Sequence, residues 1–143
     1  MPSVELDRLV AAGSLESEPP IPDEFDGLLR EAVLTLQDAK LEQLSLESRF
    51  RLAYAAAHSL ALAALRWHGY RPRNRQIVFQ ALAHTLGMPA PIWRMLSQAH
   101  SRRNRVEYEG ASEIDRRFVH DIIDAGEQLL KAVESLAPLE RSS

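Results

Sequence analysis

The segment Ser101–Gly110, SRRNRVEYEG, sets Arg102, Arg103 and Arg105 around Asn104 and places Tyr108 between Glu107 and Glu109. A guanidinium is a planar fork that holds phosphate or carboxylate through paired hydrogen bonds. The chemistry on offer is therefore anion binding, with Asn104 beside the arginines and Tyr108 able to close or stack a site. Ile92, Trp93, Leu96, Ala99 and Val106 recur at helical spacing through this stretch, so the cluster is expected on a helix. On that helix Arg103 and Glu107 are four apart and can pair. His100, Asn104 and Tyr108 form a second stripe at the same spacing. Arg103 falls at the edge of the apolar stripe, where a cation requires a partner or a ligand. The plainer alternative is a helix end whose charges stand in water.

A second cluster, Arg71, Arg73 and Arg75, belongs to the same basic block. Residues 48–110 carry ten arginines, no lysine and two acids, a balance of +8. Residues 1–47 carry eleven acids against three bases, a balance of −8, and residues 111–143 carry seven against four, a balance of −3. The net charge of −3 conceals that asymmetry. Two readings of it stand side by side: an anion-binding surface, or a basic block that packs against the acidic one.

The elements that must position these residues are helices. A helix over Val4–Ala12 is capped by Ser3 and stopped by Gly13. The proline-rich stretch Ser14–Pro22 reads as a linker. A second helix covers Asp23–Leu44, with Leu29, Val33, Leu36 and Leu44 inward. A third covers Leu46–His68, with Phe50, Tyr54, Ala57, Ala61 and Ala64 along one face. Its alanines imply close approach to another helix, in this chain or in a second copy. A fourth spans Asn74–Leu86, with Phe79, Leu82 and Leu86 inward. Pro89 and Pro91 open the fifth, which carries the arginine cluster and stops at Gly110. Ser112 caps the sixth, whose stripe is Phe118, Ile122, Ala125, Leu129, Val133 and Leu136. No strand is expected. The fold class is all-α, an antiparallel bundle of five to six helices in one domain over residues 1–143. Residues 1–22 form a short helix and linker, and residues 138–143 a tail.

The chain of 143 residues has no cysteine, which excludes disulfides, thiolate metal sites and cysteine nucleophiles. No apolar run of about 18 residues exists, so no membrane span is expected. The acidic start lacks the apolar stretch of a signal peptide. Phosphate-binding glycine loops and GxSxG elbows are absent. His58, His68, His84, His100 and His120 stand apart, with no HExxH pattern, so neither a metal site nor a cofactor is expected. His58 and His84 are expected buried or half-buried, and His68 at a helix end near terminal carbonyls. Trp67, Tyr70 and Trp93 read as packing residues, with base stacking as the alternative.

With these features the chain resembles the HEPN domains of bacteria, small all-helical domains of toxin–antitoxin and defence systems. The resemblance covers most of the chain. It rests on the acidic start, the alanine-rich third helix ending Arg66-Trp67-His68-Gly69-Tyr70-Arg71, and the arginine–asparagine helix after a proline turn. Active members of that family carry an arginine, a polar residue and a histidine a turn or more downstream. Two protomers bring these motifs together in a cleft that cuts RNA without metal. Arg103-Asn104 matches the first half of the motif, while Tyr108 stands where the histidine would be. The resemblance thus implies a cytoplasmic homodimer that binds RNA, a nucleotide or an acidic partner without cleaving it. Arg102, Arg103, Asn104, Arg105, Tyr108, Arg71, Arg73 and Arg75 would line its groove. Two alternatives remain open. One is a divergent metal-independent RNase toxin with a cognate antitoxin, using Arg103, Asn104, Tyr108 or His100. The other is a regulatory partner of a nucleotidyltransferase.

Overall fold

The structure, a computed structural model, describes residues 3–109 and 114–140, and of 105–109 the backbone alone. Helix α1 (Val4–Ala11) begins at Ser3, whose hydroxyl accepts from the Leu6 amide at 3.3 Å, and gives way to Gly13 at φ +84°. Helix α2 (Pro22–Ala39) opens on a proline, with Asp23 and Glu24 in its first turn, where the helix dipole favours acids. It ends at Ala39, short of the Leu44 expected. Ser45 caps α3 (Leu46–Trp67), accepting from the Ser48 amide at 3.1 Å, so the chain must reverse over residues 40–44. Arg49 Nε donates to the free carbonyl of Ala39 at 2.8 Å and closes the end of α2.

After α3 come the interrupted pair α4 (Gln76–Gln80) and α5 (Leu82–Thr85), then α6 (Ala90–Glu109) and α7 (Arg116–Glu134). The described residues thus form an all-α bundle of five unbroken helices and one broken at Ala81. Asp115, not Ser112, caps α7, accepting from the Phe118 amide at 2.7 Å. Ser112 and Gly110 lie outside the described residues.

Helix α3 is the axis of the bundle. Helices α2 and α7 pack along it, while α4, α5 and α6 cover its remaining flank. Ala53, Ala56, Ala57, Ala61, Ala63 and Ala64 are all buried, so its alanine face is filled within this chain. Phe118, Ile122, Ala125, Leu129 and Val133 of α7 join that core, and Lys40 pairs with Glu127 across the α2–α7 contact. Among the described residues no helix is long and apolar enough to cross a membrane.

Two short strands correct the expectation of none. Strand β1 (Leu15–Ser17) pairs antiparallel with β2 (Tyr70–Pro72), Glu16 facing Arg71. Three-residue strands carry too little alternation to be read from sequence, and the pairing joins segments remote in the chain. Gly69, at φ +90°, turns the chain from the end of α3 into β2, a conformation open to glycine at little cost. The segment read as a linker is therefore pinned to the bundle. Leu6 and Leu15 are buried, and Tyr70 donates its hydroxyl to Asp7 at 2.5 Å.

Candidate functional site

Six arginines of the basic block fall into two sets of three. The first is consumed by the acidic N-terminal segment. Arg66 is 1% exposed and spends its whole fork on the protein. Its Nε donates to Glu24 at 2.6 Å, Nη1 to the carbonyls of Glu18 and Tyr70 at 2.9 and 3.2 Å, and Nη2 to that of Pro19 at 2.8 Å. Arg71 lies beside it and donates to Glu18 at 2.8 Å and Glu24 at 2.9 Å. Hydrogen bonding from Arg71 holds the Glu18 carboxyl below its ordinary range. For Glu24 burial pulls upward, but the bonds from Arg71 and Arg66 win and its pKa is lowered too. Arg73 stands 3.3 Å from Glu16. Arg71, expected in a ligand groove, is thus held between two carboxylates of the same chain.

The second set lines a cleft. Arg51 of α3, Arg75 just before α4 and Arg103 of α6 converge on a cleft of about 300 Å³, lined also by Tyr54, Ala55, His58 and Ser59. No described lining residue is acidic. Neither Arg51 nor Arg75 makes an ion pair among the described residues. The Arg103 guanidinium carbon stands 5.4 Å from the centre of the Tyr54 ring. The Tyr54 hydroxyl is 2.9 Å from His100 Nδ1, and the Asn104 side-chain nitrogen 3.5 Å from His100 Nε2.

Both imidazoles are kept neutral. Burial, reinforced by Arg75, His100 and Arg103, pushes His58 down to about 4. Burial, then Arg103 and Arg75, lowers His100 as well. A positive field with neutral rings inside it suits an anion that accepts hydrogen bonds.

The helix that carries the cluster Arg102–Arg105 distributes its members differently. Arg103 reaches the cleft, and Asn104 approaches His100 behind it. Arg102 instead lies over the Phe118 ring at 4.0 Å, tying α6 to α7. The side chains of Arg105 and Tyr108 lie outside the described residues. A neighbouring cleft of about 250 Å³ shares His58 and Arg75 with the first, and adds Leu62, Pro72, Arg73, Asn74 and Val78. His58 is half-buried, as its helical position implied, but His84 is exposed rather than buried. His68 sits at the end of α3, where its Nε2 meets the Thr85 carbonyl, beyond its own helix, at 2.9 Å.

Sequence reasoning missed Arg51 and His58 as site residues and took Tyr54 for core alone. Arg51 and His58 are seven apart on one helix, two turns on the same face, and that spacing was the available signal. Comparison with known protein families and with curated proteins finds no match to this chain.

Proposed function

We propose that the protein is a HEPN-like, homodimeric binding domain that holds RNA or nucleotide phosphate in the Arg51–Arg75–Arg103 cleft without cleaving it. The observation that carries this reading is the convergence of three guanidiniums from separate elements on one cleft with no acid among its described lining residues. The position that the family pattern gives to histidine holds Tyr108, whose ordinary pKa near 10 makes it a poor proton carrier at neutrality. Two-fold association would double the basic surface offered to a polyanion.

The test is fluorescence anisotropy with a labelled single-stranded RNA, without metal, across a salt series. Affinity should fall steeply with salt. Arg51→Ala, Arg75→Ala and Arg103→Ala should each weaken binding, and each should reduce the salt slope by about 1. Arg30→Ala, an exposed arginine on α2, should change neither. No binding at low salt, or equal losses for all four variants, rejects the cleft. Light scattering at tens of micromolar should give the mass of two chains, and a monomer mass removes the dimer from this reading.

The second reading, a divergent RNase, draws on the Tyr54–His100–Asn104 chain beside Arg103. That chain has the order of a hydroxyl, an imidazole and an orienting amide. The same RNA separates the two readings. It should stay intact with the wild-type protein, whereas robust cleavage abolished by Arg103→Ala and His100→Ala establishes the enzyme instead.

A further inference from the structure

We propose that a separate cleft, between the start of α7 and the turn from α2 into α3, is the docking site for an acidic peptide segment of a partner protein. Arg49 of α3 and Arg116, Arg117 and His120 of α7 line an open space of about 420 Å³, and Glu42 completes the described lining. It is larger than either cleft beside His58 and shares no described lining residue with them. Arg49 and Arg51 are two apart on α3, with buried Phe50 between them, so they leave the helix on different sides.

Helix stability does not account for these arginines. Arg116 and Arg117 stand in the first turn of α7, which holds no acid, at the end where the helix dipole disfavours cations. Asp115 is the cap, accepting from the Phe118 amide at 2.7 Å, so neither arginine serves that role. Both are exposed, and among the described residues neither makes an ion pair, with Glu42 or with any other acid. Arg49 is held in place by the bond from its Nε to the Ala39 carbonyl, and His120 stands 3.4 Å from Asp124. The lining is of mixed sign, which sets this cleft apart from the one at Arg51, Arg75 and Arg103. A nucleic-acid backbone is negative at every step and would meet Glu42 with like charge. A peptide can lay carboxylates on the guanidiniums and turn a backbone amide or a hydroxyl toward Glu42. Complementarity of that alternating kind selects a protein segment over a polyphosphate.

Fluorescence anisotropy on the full chain at low salt tests the proposal with a labelled peptide of alternating Glu and Ser, the same peptide with Gln for Glu, and a labelled RNA. The Glu–Ser peptide should bind about tenfold or more tighter than the Gln–Ser peptide. Replacing Arg116→Ser and Arg117→Ser together should weaken the Glu–Ser peptide by about tenfold or more and leave RNA affinity within about twofold. Arg103→Ala should do the reverse, so the peptide result stands or falls independently of the RNA reading above. The double variant should melt at or above the wild-type temperature, because it removes two cations from the positive end of α7. A lower melting temperature assigns the pair to the fold and overturns the proposal. So does a Glu–Ser peptide that fails to bind at low salt, or that binds the double variant as well as the wild type. A loss of RNA affinity in the double variant as large as in Arg103→Ala gives the surface to nucleic acid and overturns it too.

Discussion

One residue type does two opposite jobs in this chain, and burial decides which. Arg66 sits in the interior with four hydrogen bonds and a carboxylate on each side, so its fork is a structural joint between α3, β2 and the segment leading into α2. Arg51, on the same helix, turns its fork to solvent beside His58. The cost of removing each should differ accordingly. Arg66→Ala leaves Glu24 with Arg71 as its remaining cation and strips donors from the carbonyls of Glu18, Pro19 and Tyr70. Through those buried acceptors it should lower the unfolding free energy by about 3–5 kcal/mol. Arg66→Lys should recover only part of that, because a single ammonium lacks the geometry of the fork. Arg51→Ala should stay within about 0.5 kcal/mol of wild type, as exposed substitutions do. Urea denaturation measures all three. A loss below about 1 kcal/mol for Arg66→Ala would show that the network is incidental to stability.

At the scale of elements, what could be read in the sequence was whatever repeats along one helix. The stripes of α3 and α7 were legible because Phe50, Tyr54, Ala57 and Ala61, or Phe118, Ile122, Ala125 and Leu129, recur at helical spacing and are buried as that spacing implies. The register of α6 likewise put Arg103 at the edge of the apolar face, and there it meets Tyr54. What escaped was whatever depends on two segments meeting. Pairing of β1 with β2 is such a case, since neither strand has a pattern of its own. The end of α2 at Ala39 is another, being fixed by Arg49 and the Ser45 cap from the next helix. The site divides along the same line. Arg75 and Arg103 stood in visible clusters, but Arg51 and His58 were single residues on a helix read for its core. Arg71 was the converse: conspicuous in a cluster, yet bound to Glu18 and Glu24 from a segment taken for a linker. Helical period announces a face; it does not announce which other face will stand opposite.

For the whole molecule, the separation of charge along the sequence becomes a separation in space. Acids at Glu16, Glu18 and Glu24 neutralise Arg66, Arg71 and Arg73 on one flank of α3. Arg51, Arg75 and Arg103 line the cleft on another, so a chain of net charge −3 still brings three guanidiniums to one place. This distribution makes stability dependent on pH from two directions. Glu18 and Glu24 have folded pKa values below the ordinary 4.5, so their contribution is present above that value and is lost as pH falls through the lowered ones. His58 acts earlier. Its folded value is about 4 against 6.5 for the free side chain, so below pH 6.5 the unfolded chain takes up a proton that the folded chain refuses. Stability therefore declines from pH 6.5 toward pH 4, by up to about 3 kcal/mol from this residue. His100, lowered in the same way, adds to the decline with the same sign. Urea melts at pH 7, 5.5 and 4 should show this slope, and His58→Gln should flatten it while leaving the carboxylate loss at lower pH. An unchanged slope in the variant would place the proton uptake elsewhere. Bound phosphate would add negative charge beside His58 and raise its pKa, so the slope of the wild type should also flatten when RNA is present. By linkage, RNA should bind more tightly at pH 5.5 than at pH 7, and by a smaller margin in His58→Gln.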